Sequence, residues 1–117
     1  MLQLRPEQWI SLKQDARERF EADLQAHLRS RFPQRVSEIG DAALAELVRS
    51  GIARAERYGV VTRMDVRRFV EYMVELGSDF DTDPAYPTVQ QILNDPGDSG
   101  TRKMDRIDNH ATFGRRG

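Results

Sequence analysis

Residues 58 to 87 read Tyr-Gly-Val-Val-Thr-Arg-Met-Asp-Val-Arg-Arg-Phe-Val-Glu-Tyr-Met-Val-Glu-Leu-Gly-Ser-Asp-Phe-Asp-Thr-Asp-Pro-Ala-Tyr-Pro. The punctuation of this stretch is helical. Gly59 follows an apolar-periodic run and supplies a left-handed stop, since glycine alone takes that backbone region without a side-chain penalty. Thr62, with Asp65 three positions on, reads as a capping box in which Asp replaces the usual Glu or Gln. Val66, Phe69, Val70, Met73 and Leu76 then recur at three- and four-residue steps, the period of one helix face. Arg63, Arg67, Arg68, Glu71 and Glu75 fall on the opposite side, where Arg67–Glu71 and Arg68–Glu75 offer local charge pairs. Gly77 closes the helix, and an acidic loop ends at Pro87.

Upstream, Pro6 and Glu7 suit the first turn of a helix. Trp9, Leu12, Ala16, Phe20, Leu24, Leu28 and Phe32 make one long apolar stripe up to Pro33, which pushes the residue before it out of helical geometry. Residues 34 to 40 read as a connector. Asp41 reads as the N-cap of a second helix whose buried face is Leu44, Leu47, Val48, Ile52 and Ala55. Gly51 on that face invites close approach by a neighbouring helix, against about 1 kcal/mol of lost helix propensity. Downstream, Tyr86-Pro87 opens a short helix bearing Val89, Ile92 and Leu93. The turn Asn94-Asp95-Pro96-Gly97 follows, and a last short helix is anchored by Met104 and Ile107 with Ser99 as its cap. The expected fold is all-α: a small bundle of three main helices (about 6–32, 41–58 and 63–76) plus two short C-terminal helices (about 87–94 and 101–109). Residues 1–109 form one helical domain, and 110–117, without periodicity, a flexible C-terminal tail. No period-two alternation supports a strand.

Composition narrows the function. The chain has 117 residues, no cysteine, and 18 basic against 19 acidic residues. Thiol catalysis and disulfides are therefore out. The near-zero balance argues against a protein built to neutralise phosphates, so no nucleic-acid partner is expected. Nothing resembles a signal peptide or a membrane span, and a cytoplasmic location is expected. Sixteen of the basic residues are arginine, with Lys13 and Lys103 the exceptions. Arginine suits bidentate contacts in interfaces, although the coding bias of a GC-rich genome produces the same excess.

Four constellations have the residue types for chemistry or binding. Asp79, Asp81 and Asp83 alternate as in the opening of a calcium loop, but Pro84 stands where that loop needs glycine and Gln90 where it needs a bidentate glutamate. A turn stabilised by short acidic side chains, or an acidic docking surface, explains them better than a metal site. The helices flanking Gly59, with Arg63, Arg67 and Arg68 opening the second, imitate a helix-turn-helix, although Asp65, Glu71 and Glu75 share that helix. His27 and His110 have no ligand partners at metal spacing, and no serine sits in a nucleophile elbow. No enzymatic activity and no cofactor are expected. Finally, Trp9, Phe32, Phe80, Tyr86 and Phe113 lie at element ends or in loops, and aromatic residues with arginine favour interface cores. The candidate partner-binding residues are Trp9, Asp79, Phe80, Asp81, Asp83, Tyr86, Phe113, Arg115 and Arg116, with Phe113 the foremost because no apolar stripe claims it.

Glu56-Arg57-Tyr58-Gly59-Val60, Asp65-Val66, Leu76-Gly77-Ser78-Asp79-Phe80-Asp81-Thr82-Asp83-Pro84, Tyr86-Pro87 and Ile92-Leu93 together resemble a family of small bacterial proteins commonly found beside type VI secretion effectors and their PAAR tip proteins. The resemblance spans about residues 8 to 107. It departs from the family's pattern at Thr88, where members read Trp after the proline. It implies a helical accessory protein, a chaperone, co-chaperone or adaptor that helps load an effector, and it supplies no catalytic residues. A helix-turn-helix regulator and a toxin-neutralising immunity protein are the alternatives.

Overall fold

A computed structural model describes residues 14–116, with side chains for 14–110. Six helices follow one another: α1 Gln14–Arg31, α2 Pro33–Ile39, α3 Asp41–Arg57, α4 Arg63–Leu76, α5 Pro87–Leu93 and α6 Gly100–Arg116. The described residues contain no strand, so the architecture is the small all-α bundle expected. No helix among them is long and apolar enough to cross a membrane.

The first difference from expectation is in the connector expected at 34 to 40, where residues 34 to 39 belong to a helix. Pro33 does end α1, but it also occupies the first turn of α2, where its fixed φ and missing N–H are harmless. Val36 is buried and Ile39 packs against the core, so a seven-residue helix is retained by one apolar face too short to read as periodic. The second difference follows directly. Gly40 is the N-cap of α3 and makes no side-chain cap bond. Asp41 sits inside the first turn, with its carboxylate 3.3 Å from Arg29 of α1.

The α3–α4 junction matches its sequence signals closely. Gly59 has φ +79°. Its N–H donates to the Glu56 carbonyl at 3.0 Å, and the Val60 N–H to the Ala55 carbonyl at 2.9 Å. These two bonds make a Schellman motif, and Val60 and Ala55, at the positions that usually touch in it, are both fully buried. Thr62 caps α4 by accepting from the Asp65 N–H at 3.3 Å. The reciprocal half differs from a capping box: the Thr62 hydroxyl donates to the Asp65 carboxylate at 2.7 Å. Aspartate is one methylene shorter than glutamate, which leaves it facing the cap hydroxyl.

Helix α4 is the central element and packs against α1, α3 and α6. Asp65, Val66, Phe69, Val70, Tyr72, Met73 and Val74 are all buried. Gly51 of α3 admits it, as a β-carbon there would lie 2.7 Å from the Met73 sulfur and 2.8 Å from Val70. The final helix is longer than expected. It is capped by Ser99, whose hydroxyl accepts from the Arg102 N–H at 3.1 Å, and runs from Gly100 through residues read as an aperiodic tail. Propagating an established helix is far easier than starting one, and no proline lies in 100–116. Met104 and Ile107 enter the core beside α4, fully buried.

Candidate protein-binding groove

The acidic loop is wired inward more than outward. Asp81 is 1% exposed and spends both oxygens on α3: Arg54 donates to one at 2.6 Å and the Tyr58 hydroxyl to the other at 2.8 Å. Arg54 also donates to the Ser78 carbonyl at 2.7 Å. Burial, followed by the hydrogen bond and negative charge of Asp81, pushes the Tyr58 hydroxyl from its ordinary 10.0 up to about 12. Phe80 is fully buried, with its ring centroid 5.0 Å from Phe69 and 5.8 Å from Tyr72. Asp83 accepts from the Ala85 N–H at 2.9 Å in a local turn, and Gln90 of α5 donates to its carbonyl at 2.8 Å.

The candidate residues therefore separate. Phe80 and Asp81 belong to the interior and are not surface contacts: an aromatic in a loop is read from sequence as exposed, but this loop folds back over α4. Asp79 remains on the surface, its side chain 3.5 Å from Arg54. Asp83 serves the turn, and Tyr86 is half-buried against the core at the N-cap of α5. Among the described residues, no three His, Asp or Glu side chains gather as a metal site would require. Trp9 lies outside the described residues. Phe113, Arg115 and Arg116 fall on the backbone of α6, and their side chains are likewise outside the description.

Two of the three arginines opening α4, Arg63 and Arg68, are also committed. Arg63 lies over the Phe20 ring at 5.4 Å and 3.6 Å from Asp23. Arg68 bonds Asp65 at 2.9 Å, Asp105 at 2.7 Å and Asp108 at 2.6 Å. Burial alone pulls its pKa down, but the bonds to Asp105, Asp108 and Asp65 outweigh that and leave it raised. Arg68 thus fastens α6 to α4, and Glu71 reaches His27 of α1 at 2.5 Å. Both residues serve contacts between helices that the in-helix pairing read from sequence does not anticipate.

What the sequence did not reveal is a groove of about 590 Å³ between α2, α3 and the end of α4. Ile39, Leu47, Met73 and Val74 form its apolar floor, and Arg35, Glu38, Glu46 and Arg54 stand around it. Arg35 reaches from α2 to the Val74 and Glu75 carbonyls at 3.2 and 3.3 Å. These are among the last four carbonyls of α4, which lack partners within their own helix and carry its negative dipole end. The groove's wall therefore rests on α2, the helix read as a connector. The only advance signal was Val36 and Ile39, three residues apart after a first-turn proline.

Such a recess binds by shape and apolar burial with a charged rim, the layout of protein interfaces. No protein-family model, characterised protein or solved structure matches the chain.

Proposed function

We propose that this chain is a non-enzymatic, protein-binding accessory factor. On this reading it holds a type VI secretion effector, or a larger chaperone for one, before loading onto the secretion spike, and does so in the cytoplasm. The observation that carries the proposal is the α2–α3–α4 groove, an apolar floor within a charged rim. The family resemblance of residues 8 to 107 supplies the secretion context. Arg68, taken up by three carboxylates, does not favour a DNA-facing role for α4.

The test uses the full chain, tagged and recovered from cells that carry its neighbouring genes, with Ala43→Arg as the control. Ala43 is exposed and lines the groove, so an arginine there obstructs the floor without entering the core. The expected result is recovery of a secretion-linked protein by the wild type and its loss from the variant, with unchanged helical circular dichroism. Recovery of no such protein, with effector delivery intact after deletion of the gene, would overturn the proposal. Protection of cells expressing the effector's toxic domain, without any effect on its delivery, would point to an immunity protein.

A further inference from the structure

The groove's walls restrict what can occupy it. Ala43, Glu46, Leu47, Ser50 and Arg54 recur along α3, so the recess follows that helix for about 16 Å, or three turns. Every wall is helical or, at Gly77 and Ser78, the first residues of the loop. Where α4 ends, the carbonyls of Val74 and Glu75 are taken by Arg35, that of Gly77 by the Phe80 N–H and that of Ser78 by Arg54. Among the described residues a strand finds no sheet edge to extend, and a polyproline segment finds no aromatic shelf, because none of them that lines the groove is aromatic. An occupant must bring a backbone already satisfied within itself, which among the recurrent modes of peptide recognition means a helix.

The rim sets the sign. Arg35 and Arg54 spend their donors on main-chain carbonyls and on the buried Asp81. Glu38 and Glu46 are exposed on the same recess, Glu46 with the exposed Arg49 at 3.0 Å, and Asp79, 3.5 Å from Arg54, is exposed next to the lining residue Ser78. With Arg54 balanced by Asp81 and Arg49 by Glu46, Glu38 and Asp79 stand against Arg35, a small acidic excess around an apolar floor.

We infer that the groove receives an amphipathic helix of about three turns from a partner protein, with Lys or Arg flanking its apolar stripe. This rests on the groove being the binding site proposed above, and names the chemistry of what binds there. The probe is a synthetic helical peptide of leucine, alanine and lysine, compared with a twin carrying glutamate for lysine. Both are titrated into the full-length protein and followed by amide chemical shifts. The expected result is binding of the lysine peptide at least about tenfold more tightly at low salt, the scale that a few exposed charge pairs produce together. Shifts should centre on Ile39, Leu47 and Val74. The exposed double substitution Glu38→Lys/Glu46→Lys should reverse the preference, and Ala43→Arg should abolish binding.

Equal affinity for the two peptides, no reversal in the double variant, or shifts centred on another face would overturn the inference. So would a wild-type dimer in solution that Ala43→Arg dissociates, since the occupant would then be a second copy. If neither peptide binds while Ala43→Arg still abolishes recovery of the cellular partner, the helix is wrong and the groove stands. Partner recovery untouched by Ala43→Arg overturns both.

Discussion

Asp81 is one of three similar aspartates in the sequence, and its surroundings set it apart. Its side chain is buried against Arg54 and Tyr58, whereas that of Asp79 is exposed. Asp81→Asn leaves Arg54 without its close counter-charge and is expected to lower stability by about 2 kcal/mol, as for a charged hydrogen bond lost from a partly buried site. Asp79→Asn should change stability by less than about 0.5 kcal/mol. Urea denaturation of both variants checks the contrast, and equal midpoints would contradict it. Tyr58 adds a pH dependence. Its hydroxyl is held above its unfolded value, from 10.0 to about 12, so the protonated form is favoured in the folded state. The stability it contributes is intact below pH 10 and is lost as pH rises from there toward 12. Tyr58→Phe should flatten the fall in stability across that window, and identical pH slopes for variant and wild type would refute the assignment. Phe80, fully buried, should lose about 3–5 kcal/mol as Phe80→Ala. Spacing could not reveal that burial, because loop residues carry no period and Phe80 joins the core only through the return of the chain over Phe69 and Tyr72.

At the scale of elements, the helices legible in advance were those with both an apolar period and marked ends. For α4, Thr62 and Gly77 gave the boundaries, and five apolar residues gave the face. Helix α2 was missed because its seven residues hold barely two turns, and the reach of α6 because its later residues offer no apolar period. Contacts between distant elements were invisible for another reason: nothing local encodes them. Gly100 is the clearest case. A β-carbon there would stand 2.2 Å from the carbonyl oxygen of Gly59 and 2.8 Å from the Val60 α-carbon, so the start of α6 lies directly on the Schellman turn that ends α3. Beside it, the buried Lys103 donates to the Tyr58 carbonyl at 2.9 Å, placing an ammonium at the negative end of α3. Gly51→Ala regains about 1 kcal/mol of helix propensity but presses on the Met73 sulfur and on a methyl of the stiff, buried Val70, so it should still cost about 1 kcal/mol net. Gly100→Ala meets rigid backbone and should cost about 2–3 kcal/mol despite the better propensity. Thermal or urea midpoints compare the two, and a larger loss at Gly51 would contradict this account. Lys103→Met, keeping the packing but losing the hydrogen bond, should cost about 1 kcal/mol.

For the molecule as a whole, the core runs without a break from Phe20 of α1 to Ile107 of α6. Unfolding is therefore expected to be one cooperative transition, with far-ultraviolet and near-ultraviolet circular dichroism changing together. A separate early loss of the tyrosine signal would instead mark α6 as an independent unit. The fold class was legible because periodicity and caps are local, whereas the groove was not, since it needs three helices placed against one another and one was unseen. The dependence of the core on its last helix also bears on biosynthesis. Met104 and Ile107, which cover one side of α4, are translated roughly thirty residues after that helix is complete, a delay of roughly two to six seconds at ordinary elongation rates. Until those two side chains dock, the apolar side of α4 that they cover stays open, so the chain cannot complete its core before its last helix has been made.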